Sequence, residues 1–276
     1  MSDASKDAVL VDWEARDGVA VLTLRNPPAN TYSYEMNRGI DEAILRFRFD
    51  DALHVLVIRG AGDRFFCAGA DIAMLDGAAP SFKYHFCLHA NETLLRLEQT
   101  PKLVIAALNG HTVGGGLEVA MAADLRIGWR STAAGAKAAL VGLPEVTLGV
   151  LPGTGGTQRL ARLVGKSRAI ELMATGRNVD MAEAERLGIV NRVIEADSVD
   201  GFMARVLEYA GGFCPPHRAS MAVGHIKRAV QSGAEVPLES GLALERELQQ
   251  RLFQSEDARE GIGAYNQKRR PSFKGR

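Results

Sequence analysis

The chain has 276 residues, 46% of them hydrophobic, and 33 Lys and Arg balance 33 Asp and Glu to a formal net charge of zero. That length and composition can bury an enzyme core as one domain, or one domain with an appendage. The even charge argues against nucleic acid as the main partner, and no apolar run approaches the roughly 20 residues that span a bilayer, so no membrane partner is expected.

The opening MSDASKDAVLVDWEARDG has no basic stretch followed by an apolar run, so no signal peptide is expected. Cys67, Cys87 and Cys214 are too far apart for a CxxC pair and odd in number, and read as reduced thiols of a cytoplasmic protein. The six histidines fall at no metal-ligand spacing and are assigned to packing or surface. The one basic cluster is the tail KRRPSFKGR, a solvated end or a site for a phosphorylated ligand.

Residues 18–26, GVAVLTLRN, alternate as a strand, and NPPANTYS stops it with two prolines. Over residues 34–50, Ile40, Ala43, Ile44 and Phe47 recur at helical spacing after Ser33, an N-cap residue. Residues 54–62 read as a buried strand, 81–99 as a long helix closed by Thr100 and Pro101, and 102–110 as the next buried strand. Strand, helix and strand therefore repeat, an α/β pattern. GGGLEVAMAAD opens a helix near Gly115 and ends it about Asp124, before the strand DLRIGW. A helix starts near Thr157, and residues 174–194 read as a turn, a short helix and a strand. After Ser198, residues 199–211, 221–230 and 237–254 are helical patterns with no strand between them. A boundary near residue 210 separates a core, 1–210, from a helical section, 211–276, whose apolar stripes suit docking or oligomerisation.

The chemistry follows from glycines beside carboxylates. The first N–H groups of a helix lack internal partners, so the turn Gly114-Gly115-Gly116 can donate to an anion and lets a flat ligand touch backbone; the same glycines also suit a tight strand-to-helix turn. The short loop Cys67-Ala68-Gly69-Ala70-Asp71 follows another buried strand and can supply a second donor, as in two-amide oxyanion holes. Glu118 falls in the first turn of the helix, where a carboxylate is also favoured for structural reasons. Glu145 follows Gly142-Leu143-Pro144 in an apolar stretch, which predicts a raised pKa or a specific partner, as suits a general acid, and PGTGG at 152–156 is expected to bring further amides beside it. Two carboxyl groups in different settings can divide acid and base work.

FCAGADI, NGHTVGGGLEVAMAAD and LPEVTLGVLPGTGGTQRL together resemble the enoyl-CoA hydratase/isomerase family, the crotonase superfamily, with a likeness from about Val19 to Glu195 and again in PSFKGR. The resemblance implies an α/β spiral of repeated ββα units with a helical C-terminal region that assembles homotrimers, commonly paired into homohexamers. It implies an oxyanion hole from the N–H groups of Ala68 and Gly115, with Ala68, Gly69, Ala70, Asp71, Ile72 and Gly115 at the acyl-CoA. Glu118 and Glu145 match the two glutamates of family hydratases, which hold the water; Glu145 delivers a proton to Cα and Glu118 helps activate the hydroxyl added at Cβ. Phe273 and Lys274 match a tail that reaches the adenine end of CoA, often from a neighbouring subunit. No metal or redox cofactor is implied, since coenzyme A is part of the substrate.

Two departures stand out. RSTAAGAKAALVG makes the connection before Glu145 about seven residues longer than the family pattern, either as a surface bulge or as a reshaped acyl pocket. Ala73 stands where many relatives carry a lysine suited to CoA phosphates, which leaves Arg25, Lys268, Lys274 and Arg276 as candidates. Both glutamates favour a hydratase; an enoyl-CoA isomerase or other crotonase-type acyl-CoA enzyme using the same oxyanion hole, or a non-catalytic CoA- or RNA-binding scaffold, are the alternatives.

Overall fold

The computed structural model describes residues 10–276. A first hairpin pairs β1 (Val11–Arg16) antiparallel with β2 (Val19–Leu24), and helix α1 (Tyr34–Phe49) follows. Next come β3 (Val55–Gly60), the short β4 (Phe65–Cys67), the short helix α2 (Ile72–Asp76) and the long α3 (Pro80–Glu98). The unit recurs as β5 (Leu103–Leu108), β6 (His111–Val113) and α4 (Gly115–Met121). It recurs again as β7 (Leu125–Ser131), β8 (Leu140–Gly142), a 3-10 turn (Glu145–Leu148) and α5 (Gly156–Val164). Then follow α6 (Lys166–Thr175), β9 (Val179–Asp180), α7 (Met181–Leu187), β10 (Arg192–Ala196) and four closing helices: α8 (Val199–Gly211), α9 (Ser220–Gly233), α10 (Leu238–Phe253) and α11 (Glu256–Asn266).

After the first hairpin, each unit places its first strand in one sheet and its second in another. The large sheet runs β1-β2-β3-β5-β7-β10, parallel from β2 onward, and the small one runs β4-β6-β8-β9. This is the expected α/β spiral of ββα units.

The central strands explain the layers. β5, LVIAAL, is buried at every position, as a parallel strand covered on both faces must be. Its residues alternate between two cores: Val104, Ala106 and Leu108 pack with Ile40, Ile44 and Phe47 of α1, while Leu103, Ile105 and Ala107 pack with Phe202 and Val206 of α8. Ser33 caps α1 by accepting from Met36 N at 3.2 Å, as its position before the apolar periodicity predicts. Lys227 of α9 ties the last helices to this body, with Nζ 2.9 Å from Asp124 and bonded to the carbonyls of Leu97 and Lys102. No described helix is long and apolar enough to cross a membrane.

The structure adds elements that the pattern did not reveal. β4, β6 and β8 have three residues each, too few to show a period. β1 is an edge strand whose second half is exposed, so its alternation is lost. α6 begins immediately after α5, separated only by Gly165 at φ 83°, and α11 follows α10 after a short break capped by Ser255.

Candidate active site

Three loops converge beyond the C-terminal ends of β2, β4 and β6. The loop before α1 is bonded to the loop after β4: Tyr32 N donates to Gly69 O at 2.8 Å, and Asp71 N donates to Tyr32 O at 3.0 Å. The glycine turn then lies against both. Gly114 takes φ 54°, which favours glycine, and Gly116 approaches so closely that a β-carbon there would sit 2.2 Å from Cys67 O. Gly115 is the first residue of α4, and a β-carbon built on it would be 3.6 Å from Ala70 N. Neither the Gly115 nor the Ala70 N–H has an acceptor among the described residues.

Ala68 does not fill the role expected of it. Its N–H donates to Ala29 O at 3.0 Å, which leaves the N–H groups of Gly69 and Ala70 in this loop without an acceptor among the described residues, and of these it is the Ala70 nitrogen that lies 3.6 Å from a β-carbon built on Gly115. Ala68, Gly69, Ala70, Ile72 and Gly115 do line a cavity of about 170 Å³, but Asp71 does not; its carboxylate caps α2 by accepting from Ala73 N and Met74 N.

Glu118 and Glu145 both line that cavity, in opposite settings. Glu118 is 2% exposed and braced by three donors: Thr154 N at 2.8 Å and Gly156 N at 2.7 Å on Oε1, and Thr154 Oγ1 on Oε2. The amides of PGTGG thus serve Glu118, where the sequence placed them beside Glu145. Glu145 opens the 3-10 turn, and its Oε2 is buried without a partner among the described residues. Burial, reinforced by the charge of Glu118, pushes its carboxyl up to about 7, with its own backbone amide and Lys83 opposing. A carboxyl with a raised pKa and a fixed one therefore share a space with the free amides of Ala70 and Gly115.

Sequence reasoning missed Tyr32, Lys83 and Thr154, which also line the cavity. Only Thr154 carried a signal, as the one hydroxyl within PGTGG. The tail is not brought to this place within one chain. Lys274 N and Gly275 N donate to Asp257 of α11, and Gly275 lies against His54 at the N-terminal end of β3, the far end of the large sheet. A larger cavity of about 710 Å³ opens between α8 and α9, but its buried charges are already engaged: Lys227 with Asp124, Arg159 with Glu98, and Arg126 on the carbonyls of Ala123 and Ile189.

The extra residues before Glu145 form a surface excursion. Residues 132–138 are exposed throughout, and none lines the cavity. Replacing 133–138 by Gly-Gly, which spares the Thr132 N to Ala196 O bond, is expected to leave turnover and acyl preference within about twofold, measured by steady-state kinetics across acyl lengths.

A profile described as Enoyl-CoA hydratase/isomerase matches residues 14–276. The chain belongs to the enoyl-CoA hydratase/isomerase family. It is 38% identical to a probable enoyl-CoA hydratase of Rhizobium meliloti (strain 1021), over 99% of this chain and 100% of that one. It is 36% identical to the short-chain-enoyl-CoA hydratase of Clostridium acetobutylicum, over 97% and 98%. It superposes with TM-score 0.90 on a crystal structure of an enoyl-CoA hydratase from Geobacillus kaustophilus HTA426, at 43% identity and covering 97% of each chain. Within the enoyl-CoA hydratase/isomerase family, this member carries two glutamates on the cavity and an exposed insertion away from it.

Proposed function

We propose that the chain is an enoyl-CoA hydratase, a hydro-lyase that reversibly adds water to a 2-enoyl-CoA thioester to give a 3-hydroxyacyl-CoA. The observation that carries this reading is the pair of carboxyl groups on one cavity, Glu118 braced by three donors and Glu145 with an unpartnered buried oxygen and a pKa of about 7. The thioester oxygen docks between the N–H groups of Ala70 and Gly115, each such donor contributing about 3 to 4 kcal/mol as charge develops. Polarising the carbonyl makes Cβ electrophilic. Water held by both glutamates adds its oxygen to Cβ and gives a proton to Glu118, while Glu145 gives its proton to Cα. One proton resides on the pair before and after the step, so the reaction runs in either direction and uses no metal or redox cofactor.

Phe273 and Lys274 lie far from the cavity of their own chain, which supports a role at the CoA of a neighbouring copy. Assembly into homotrimers or homohexamers through residues 211–276 belongs to the same proposal, supported by exposed Ile226, Val230, Leu242, Phe253 and Ile262 on α9 to α11.

The test is absorbance at the enoyl-thioester band with crotonyl-CoA, followed by mass analysis. Loss of the band with a gain of one water is the expected result. An unchanged band, with the same band appearing from a 3-enoyl-CoA, would replace hydration by isomerisation.

A further inference from the structure

Tyr32 stands in the loop between β2 and α1, which the sequence marks only as a proline-stopped turn. Its backbone is fixed on both sides to the loop that carries the Ala70 amide, through Gly69 O and Asp71 N. The residue is 1% exposed, its ring centroid is 5.4 Å from that of Phe86, and its Cδ1 is 3.5 Å from a β-carbon built on Gly115. It lines the cavity that Glu118 and Glu145 share. Its phenolic oxygen is buried and has no hydrogen-bond partner among the described residues. Buried hydroxyls are ordinarily bonded, so one left open beside a reaction cavity is placed for a group that arrives with the substrate.

The chemistry of the reacting water says which group. Its oxygen has two protons and two lone pairs. In the hydration step the protons face the oxygens of Glu118 and Glu145, and one lone pair attacks Cβ. The second lone pair needs a donor, and the donors around Glu118, from Thr154 and Gly156, are engaged on its carboxylate. Burial first, and the Glu118 charge second, hold the Tyr32 phenol well above its ordinary pKa of 10.0, so it remains a proton donor across the working pH range.

Resting on the hydratase reading, we infer that the Tyr32 hydroxyl donates a hydrogen bond to the oxygen that adds at Cβ. It fixes the water for attack and then holds the 3-hydroxyl of the product, a contact additional to the two glutamates.

Tyr32→Phe keeps the ring and removes only this donor. Hydration kcat with crotonyl-CoA is expected to fall about tenfold with KM little changed. The melting temperature is expected to hold or rise, because the folded protein loses an unpartnered hydroxyl and no bond. Exchange of the Cα proton of butyryl-CoA with D₂O, which engages Glu145 and the two amides but adds no water, is expected to keep its wild-type rate. Wild-type hydration by the variant overturns the inference and leaves the hydratase reading intact. Equal losses in hydration and exchange, or a lowered melting temperature, make Tyr32 a prop of the fold and also overturn it. Failure of the wild type itself to hydrate crotonyl-CoA overturns both.

Discussion

Glu145→Gln is expected to lower hydration of crotonyl-CoA by about 10²- to 10⁴-fold while binding of an unreactive CoA thioester persists. The amide fills the space of the carboxyl, which is tight: a β-carbon on Gly114 would lie 2.9 Å from Glu145 Oε1. It has no proton to give to Cα. A variant that retains near wild-type hydration would remove Glu145 from the chemistry.

The same carboxyl sets two pH dependences. With its pKa raised from 4.5 to about 7, hydration kcat/KM should fall as pH rises through about 7, where the deliverable proton is lost. Dehydration uses the same one-proton state of the pair, so it should share that limb. Stability moves in the same direction. Between pH 4.5 and 7 the folded protein holds a proton on Glu145 that the unfolded chain releases, so this group favours folding below about pH 4.5 and loses that contribution as pH rises through 7. Glu145→Gln should therefore melt above the wild type at pH 8.5 and show a flatter dependence between pH 5 and 8.5. A variant that parallels the wild type at all pH values would place the proton elsewhere.

Long buried strands and strongly periodic helices were legible in the sequence because one property, apolar spacing, decides them: β3, β5, α1 and α8 lie where the pattern puts them. Carboxylates were legible for a related reason, since Glu118 and Glu145 are charges in apolar or glycine-rich surroundings that need an explanation. Amides were not. Every residue but proline carries an N–H, and which ones are free depends on neighbours remote in sequence: Ala29 takes the Ala68 donor and leaves that of Ala70. Likewise PGTGG follows Glu145 in the chain, yet the return of the chain into α5 sets Thr154 and Gly156 on Glu118, 36 and 38 residues away. Tyr32 sits in a segment whose prolines signal only that a strand ends. Its meaning comes from the loop it is bonded to and from the absence of a partner for its hydroxyl among the described residues.

Glu118→Gln is the second large loss expected, again about 10²- to 10⁴-fold in hydration, and the three donors around it make the result interpretable. Gln can keep Oε1 on the amides of Thr154 and Gly156 and place Nε2 where Oε2 stood, with Thr154 Oγ1 turning to accept. The fold is thereby retained, but the group facing the water has become an N–H donor that cannot take a proton. Glu118→Ala is different: it strands the Thr154 and Gly156 amides in a buried site, at about 1 to 3 kcal/mol for each orphaned group. Thermal melts should show Gln near the wild type and Ala well below it, while both lose hydration. Were Gln to hydrate at the wild-type rate, Glu118 would be no more than a brace for the turn at Thr154. One-carboxylate chemistry at Glu145, which is isomerisation, would then describe the site better than hydration.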